Sequence, residues 1–99
     1  MARLRELREQ IDGLNHDLLR LLQARGELVL EISEYKRTHH LQAIDVDREE
    51  RMLQDLERTA TGPFDAEAIR DIFHAIFLAS RHLQFLVHEQ VVTTEEADS

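Results

Sequence analysis

Two basic residues lie at or beside positions of the first predicted helix where apolar side chains are expected. The heptad spacing of Leu21 and Leu28 predicts an apolar residue at position 25, and the sequence has Arg25 there. Lys36 lies eleven residues later, nearly on the same face and roughly 16 Å along the helix axis. A buried guanidinium needs an anionic partner, so this pair could close on a small anion. The alternatives are an internal ion pair or an arginine that extends along a packing edge to water.

The second predicted helix also places a charged residue on its inner face. Glu49 shares that face with Val46 and Leu53, with Arg48 beside it and Asp45 at the mouth of the same groove. A structural ion pair is the alternative interpretation of Glu49.

On the third predicted helix, Ser80 and Gln84 interrupt the apolar face one turn apart, on the same side. Serine is common in helix cores, but a buried glutamine needs partners for several hydrogen-bonding groups. Together, the polar residues of the three helices predict a polar pocket inside a helical bundle. Its members are Arg25, Lys36, Arg48, Glu49, Ser80 and Gln84.

Arg8 lies beside the same seam as Arg25 but 17 residues earlier, roughly 25 Å away along the helix. It cannot reach the same pocket within its own helix. A long antiparallel helix pair related by a two-fold axis would bring the start of one copy to the middle of the other, where Arg8 could serve the partner's pocket. The alternative is a surface position without a role.

The helix that carries Arg8, Arg25 and Lys36 must be long. Apolar residues recur along it at a 4-and-3 spacing, which indicates one continuous helix from residue 4 to about residue 36. At 1.5 Å per residue it would be roughly 50 Å long, more than the diameter of a globule of this size. Such a helix cannot bury its whole seam within one monomer, which favours oligomerisation. The seam residues are Leu4, Leu7, Ile11, Leu14, Leu18, Leu21, Leu28 and Ile32.

The remaining elements follow from capping signals. Asp45 or Asp47 supplies the N-cap of a short second helix that ends near Thr61, and Gly62-Pro63 stops it. Asp65 caps a third helix. With one Pro and three Gly, the composition favours helix nearly everywhere, so the predicted class is all-α. We expect one domain over residues 1–90 and a disordered acidic tail at 91–99.

Composition excludes several functions. The chain has no Cys, which rules out disulfides and thiolate chemistry and favours the cytoplasm. A net charge of -8 argues against binding nucleic acid or anionic membranes, and no apolar run is long enough to cross a bilayer. Six histidines invite a metal site, but no pair has a helical ligand spacing with a carboxylate, so none is expected.

The polar positions and their surroundings resemble the all-α chorismate mutases. The resemblance covers about residues 3–86, and all eight polar positions agree with the family. The segments that carry it are Leu7-Arg8-Glu9-Gln10-Ile11-Asp12, Leu18-Leu19, Arg25, Lys36, Asp45-Val46-Asp47-Arg48-Glu49 and Ser80-Arg81-His82-Leu83-Gln84. The turn Gly62-Pro63-Phe64 also resembles mutase modules fused to, or acting beside, the heptulosonate-phosphate synthase of the shikimate pathway.

The resemblance implies an intertwined three-helix homodimer that converts chorismate to prephenate by a Claisen rearrangement, with no cofactor and no metal. Arg8 of the partner subunit, Arg25 and Arg48 would hold the two substrate carboxylates, with help from Ser80. Lys36 and Gln84 would stabilise the charge that develops on the ether oxygen.

The resemblance also implies that Glu49 accepts a hydrogen bond from the ring hydroxyl. Asp45 would orient the loop or the same hydroxyl, or would only cap the second helix.

Three other functions stay open at this point. An isochorismate pyruvate-lyase shares the fold and binds nearly the same anion. A helical module that regulates a synthase, with little activity of its own, is favoured by the Gly-Pro-Phe turn. A plain dimerisation domain would use the polar residues of the seam for specificity.

Overall fold

The computed structural model consists of three α-helices and describes the backbone of residues 2–98 and the side chains of residues 2–87. Helix α1 spans Ala2–Thr38, α2 spans Val46–Thr59 and α3 spans Ala66–Asp98. No strand occurs in this described backbone, so the predicted all-α class and the long, short, long order are confirmed. The disorder predicted for residues 91–99 concerns a segment whose side chains lie outside the described residues.

Helix α1 is continuous, because the heptad pattern passes through its two glycines without a change of phase. It ends in a left-handed turn at His40, where φ is 57°. The backbone N–H of Leu41 donates to the carbonyl of Lys36 at 2.8 Å, which closes the last turn in the manner of a Schellman motif. This turn directs the chain from α1 back across the end of the bundle towards α2.

Aspartates cap the two later helices, as their sequence positions predicted. The Asp45 carboxylate accepts from the backbone N–H of Arg48 at 3.0 Å. The Asp65 carboxylate accepts from the backbone N–H of Ala68 at 2.8 Å. Each bond satisfies an N–H that the first turn of a helix leaves without a partner. Of the two proposed caps for α2, the structure selects Asp45.

Helix α3 lies between the other two. It packs against α1 and against α2, whereas α1 and α2 do not pack directly on each other within the described residues. Among the described residues, each helix contributes one buried apolar side chain to the core, namely Val29, Leu53 and Phe77. A core this small is well below what a free-standing domain needs, because burial of apolar surface must outweigh the entropy of ordering the chain.

The first half of α1 projects from the bundle. The molecule measures 65 × 29 × 16 Å with a radius of gyration of 18.0 Å, whereas a compact chain of this length has a radius of about 13 Å. The apolar seam of this half is exposed, with Leu14 at 61 % and Leu18 at 57 %. Among the described helices, none is both long and apolar enough to cross a lipid bilayer.

Candidate active site

A cleft of about 140 Å³ opens where the C-terminal half of α1, the start of α2 and the middle of α3 meet. Seven of the eight predicted site residues line it, and the eighth, Arg8, does not. The lining side chains come from all three helices and from the loop that joins α1 to α2. The predicted members are Arg25, Lys36, Asp45, Arg48, Glu49, Ser80 and Gln84, and the apolar wall includes Val29, Ile32, Met52 and Phe77.

Arg25 is held in the cleft by hydrogen bonding and by ring contact. Its guanidinium donates to Ser80 Oγ at 2.6 Å and lies 5.3 Å from the centre of the Phe77 ring. Ser80 in turn donates to the Ile76 carbonyl at 2.9 Å, which fixes its lone pairs towards Arg25. Among the described side chains, no carboxylate pairs with Arg25, so the internal ion pair considered from the sequence is absent. The remaining N–H groups of Arg25 stay available for an anion.

Lys36 faces the same cleft from the last turns of α1. Its ammonium donates to the backbone carbonyl of Ala43 at 3.0 Å, in the loop between α1 and α2. A lysine ammonium carries three N–H donors, and this bond uses one of them. The loop carbonyl therefore orients Lys36 while leaving it free to bind a second acceptor in the cleft.

Arg48 and Gln84 complete the set of donors. The Arg48 side chain is exposed, and within residues 2–87 its guanidinium has no hydrogen-bond or ion-pair partner. The half-buried Gln84 lines the cleft from α3, and its amide likewise has no partner in that part of the chain. Both groups can therefore hydrogen-bond to a polar ligand in the cleft.

Glu49 forms an ion pair whose partner the sequence did not identify. Arg81 Nε donates to both Glu49 carboxylate oxygens, at 2.9 and 3.0 Å, and Arg81 Nη2 donates to one of them as well. These hydrogen bonds raise the pKa of the Arg81 guanidinium further above its usual value, against the opposing effect of burial. The structural ion pair considered for Glu49 is therefore present, and Arg81 also lines the cleft.

Arg81 was missed because its partner lies on another helix, 32 residues away in sequence. One signal for it was present. Arg81 follows Phe77 by four residues and precedes Gln84 by three, so it stands on the inward face of α3 where a charge is unexpected.

The cleft is electropositive although the chain is acidic. Four cationic side chains, Arg25, Lys36, Arg48 and Arg81, line it with two carboxylates, Asp45 and Glu49, which leaves two positive charges. The whole chain has a net charge of -8. Since Arg81 is paired with Glu49, the cations that can bind a ligand are Arg25, Lys36 and Arg48. Such a cluster attracts and orients a small anion with more than one negative group.

Arg8 lies on the exposed N-terminal half of α1, away from the cleft of its own chain. This placement agrees with the sequence argument that Arg8 is too far from Arg25 to share a site within one chain. In the part of the chain with described side chains, no three histidines, aspartates or glutamates are grouped to hold a metal ion.

Comparison with known proteins assigns the family. The family model for chorismate mutase type II matches residues 7–85, which include all eight predicted site residues. Among the curated proteins, none matches the chain.

Two solved structures are similar over most of the chain. The chorismate mutase of Thermus thermophilus in form II is 43 % identical with a TM-score of 0.81, over 83 % of this chain and 93 % of that one. Form I of the same enzyme is 44 % identical with a TM-score of 0.77, over 79 % of this chain and 98 % of that one. These matches confirm the family, the fold and the isomerase class that the sequence predicted. The chain belongs to the chorismate mutase type II family.

Proposed function

We propose that the cleft binds chorismate and converts it to prephenate, with the residues that line it in the roles given below. The observation that carries this proposal is the placement of three cations, Arg25, Lys36 and Arg48, around one small cleft of an acidic chain, with no carboxylate partner among the side chains of residues 2–87. Chorismate carries two carboxylates, and their two negative charges balance the two net positive charges of the cleft.

The first role of the site is to hold a reactive conformer. The rearrangement breaks a carbon–oxygen bond and forms a carbon–carbon bond within one molecule, so the substrate must fold until the two ends meet. Arg25 and Arg48 bind the carboxylates with charge-assisted hydrogen bonds, and Ser80 orients Arg25. Holding both carboxylates restricts the substrate to the folded form and removes much of the entropic part of the barrier.

The second role is to stabilise the transition state. As the carbon–oxygen bond breaks, negative charge develops on the ether oxygen. Lys36 and Gln84 face the cleft from opposite helices, and both have free donors for that oxygen. Their hydrogen bonds strengthen as the charge grows, so they lower the barrier rather than only tightening binding.

The two carboxylates of the cleft have different roles. Glu49 accepts a hydrogen bond from the ring hydroxyl of chorismate, since an ionised carboxylate can only accept. Asp45 caps α2 through the N–H of Arg48, and through this bond it positions the Arg48 side chain at the mouth of the cleft. No residue of this scheme transfers a proton or forms a covalent bond to the substrate.

The working unit is an intertwined homodimer in which Arg8 of the partner subunit completes each site. Two features support it. The exposed apolar seam on the first half of α1 needs a partner. A second, apolar groove of about 440 Å³ runs beside the cleft between α1 and α3 and shares Arg25 and Ser80 with it. The projecting half of a second α1 fits this groove, because its apolar seam would face the groove's leucines while Arg8 approaches Arg25.

Residues 1–90 form the catalytic domain, and the absence of cysteine favours a cytoplasmic location. A heptulosonate-phosphate synthase is a candidate partner, because the turn Gly62-Pro63-Phe64 resembles that of mutase modules that act beside such a synthase.

The test is the loss of chorismate absorbance with purified protein, with products identified by chromatography, and Lys36→Ala as the comparison. We expect prephenate as product and a fall in kcat of about 10²- to 10³-fold in the variant, as for other preorganised donors to a developing oxyanion. Salicylate and pyruvate formed from isochorismate would instead indicate a lyase. An inactive wild-type protein that still dimerises would favour the regulatory module.

A further inference from the structure

We propose that Arg81 is a positioning residue for the reaction. By binding both oxygens of the Glu49 carboxylate, it keeps Glu49 against the cleft wall as a fixed acceptor for a hydroxyl group of the substrate. This inference rests on the proposed function, since it concerns how Glu49 performs the role given to it above.

The geometry is that of a carboxylate held from one side. Arg81 Nε lies 2.9 Å from Glu49 Oε1 and 3.0 Å from Oε2, and Nη2 also donates to Oε2. Within the described residues, no other donor reaches this carboxylate. A carboxylate offers about four lone-pair positions, so at least one stays free. Both side chains line the cleft, and Glu49 is the more enclosed, at 17 % against 36 %.

Glu49 without this partner would compete with the substrate. It stands next to Arg48 in sequence and shares the cleft with Arg25 and Lys36, whose charges the substrate carboxylates require. An unrestrained glutamate has three rotatable side-chain bonds, and its carboxylate would be attracted to any of these cations. Arg81 removes that competition, because its guanidinium stays charged and binds the carboxylate at two oxygens.

The protein contains a matched pair that separates positioning from bundle stability. Arg70 lies eleven residues before Arg81, three turns along the same helix and nearly on the same face. It also bridges α3 to α2, donating to Glu57 at 2.6 Å and to Glu50 at 2.7 Å. Arg70 and its two partners do not line the cleft. Replacing Arg70 therefore breaks the same kind of helix-to-helix ion pair without touching the site.

The experiment is a double-mutant cycle in steady-state chorismate turnover. It compares Arg81→Met, Glu49→Gln and the double variant with wild type, and Arg70→Met is the control. Each single substitution in the pair should lower kcat/KM by about tenfold, mainly through KM, because the hydroxyl is bound in the ground state and in the transition state alike. The double variant should fall within about twofold of Glu49→Gln, because Arg81 acts only through Glu49.

The control and a conservative replacement complete the test. Arg70→Met should keep kcat/KM within about twofold while lowering the melting temperature. Arg81→Lys keeps the charge but cannot bind both oxygens in the same way, so its KM should lie between those of wild type and Arg81→Met. If Arg81→Met does not fold, the KM of Arg81→Lys tests the proposal in its place.

Three results would overturn the proposal. If the fold losses in kcat/KM of the two single variants multiply in the double variant, Arg81 acts independently of Glu49. A lower kcat at unchanged KM in Arg81→Met, with the melting temperature lowered as in Arg70→Met, would mean that Arg81 only supports the bundle. A wild-type protein that does not convert chorismate would overturn the proposed function and this inference together, and it would be seen before any variant is compared.

Discussion

Arg8 and Lys36 allow a direct test of whether each site is built from two chains. In the proposed homodimer, a site uses Lys36 of one chain and Arg8 of the other, since Arg8 does not line the cleft of its own chain. The experiment therefore uses two separate variant proteins, Arg8→Ala and Lys36→Ala, and mixes them so that dimers with one chain of each can form. If the proposal holds, each variant homodimer lacks one of the proposed cations in both of its sites.

The recovered activity follows from counting sites. In a mixed dimer, one site has both cations and the other has neither. Random pairing of equal amounts makes half of the dimers mixed, and half of their sites are intact, so about one quarter of wild-type activity returns. Each parent variant should retain about 1 % or less, because it has lost a buried charge contact to a dianion or a donor to the developing oxyanion. The signal is then at least about twenty times the background.

The assay is chorismate consumption after the two variants are denatured together and refolded, because intertwined chains exchange slowly in the native state. Each variant refolded alone is the control for recovery of the fold. Activity that stays at the parental level after mixing, with mixed dimers present by mass spectrometry, would refute the two-chain site. Full activity of Arg8→Ala alone would show that Arg8 has no part in binding.

Three further predictions concern assembly, capping and pH. Leu18→Glu places a charge in the exposed seam of α1, so we expect loss of the dimer and a lower helix content in size-exclusion chromatography and circular dichroism. Asp45→Ala should lower the unfolding free energy by about 1 kcal/mol in urea titrations, whereas Asp45→Asn keeps the bond to the N–H of Arg48 and should keep both stability and activity. If Asp45→Asn loses activity at unchanged stability, the charge itself serves the substrate. The hydrogen bond from Arg70 lowers the pKa of Glu50 below its ordinary value of 4.5. The ion pair therefore stabilises the folded protein fully above pH 4.5, and this stabilisation is lost as the pH falls through the lowered pKa of Glu50 in the folded state. The melting temperature of Arg70→Met should therefore fall less steeply in this acid range than that of wild type.

Local patterns in the sequence determined most of the fold. The seam from Leu4 to Ile32 predicted a long first helix, and the aspartates at 45 and 65 predicted where the next two begin. These features depend on residues within one or two turns of each other, so spacing alone is enough to read them. The second helix ends at Thr59, two residues before the predicted end, because the C-cap is Ala60 rather than the glycine at 62.

The candidate site was predictable to the extent that its members stand at inward positions of their own helices. That rule found Arg25, Glu49, Ser80 and Gln84. Their neighbours in the pattern, Lys36, Arg48 and Asp45, also line the cleft. The rule could not find the pairing of Glu49 with Arg81 or the bond from Lys36 to the Ala43 carbonyl. Both depend on how one element lies against another, which helical periodicity does not specify.

The core of this protein and the wall of its cleft share side chains. Val29 and Phe77, two of the three buried apolar residues in the part of the chain with described side chains, also line the cleft, and the ring of Phe77 lies against the Arg25 guanidinium. A larger side chain at either position would change the shape of the cleft, and a smaller one would remove part of the little apolar burial that the chain has. Substrate recognition and thermal stability therefore cannot be adjusted separately at these two positions. Selection for a more heat-resistant variant should act instead on the α1 seam and on the ion pairs around Arg70, and leave Val29 and Phe77 unchanged.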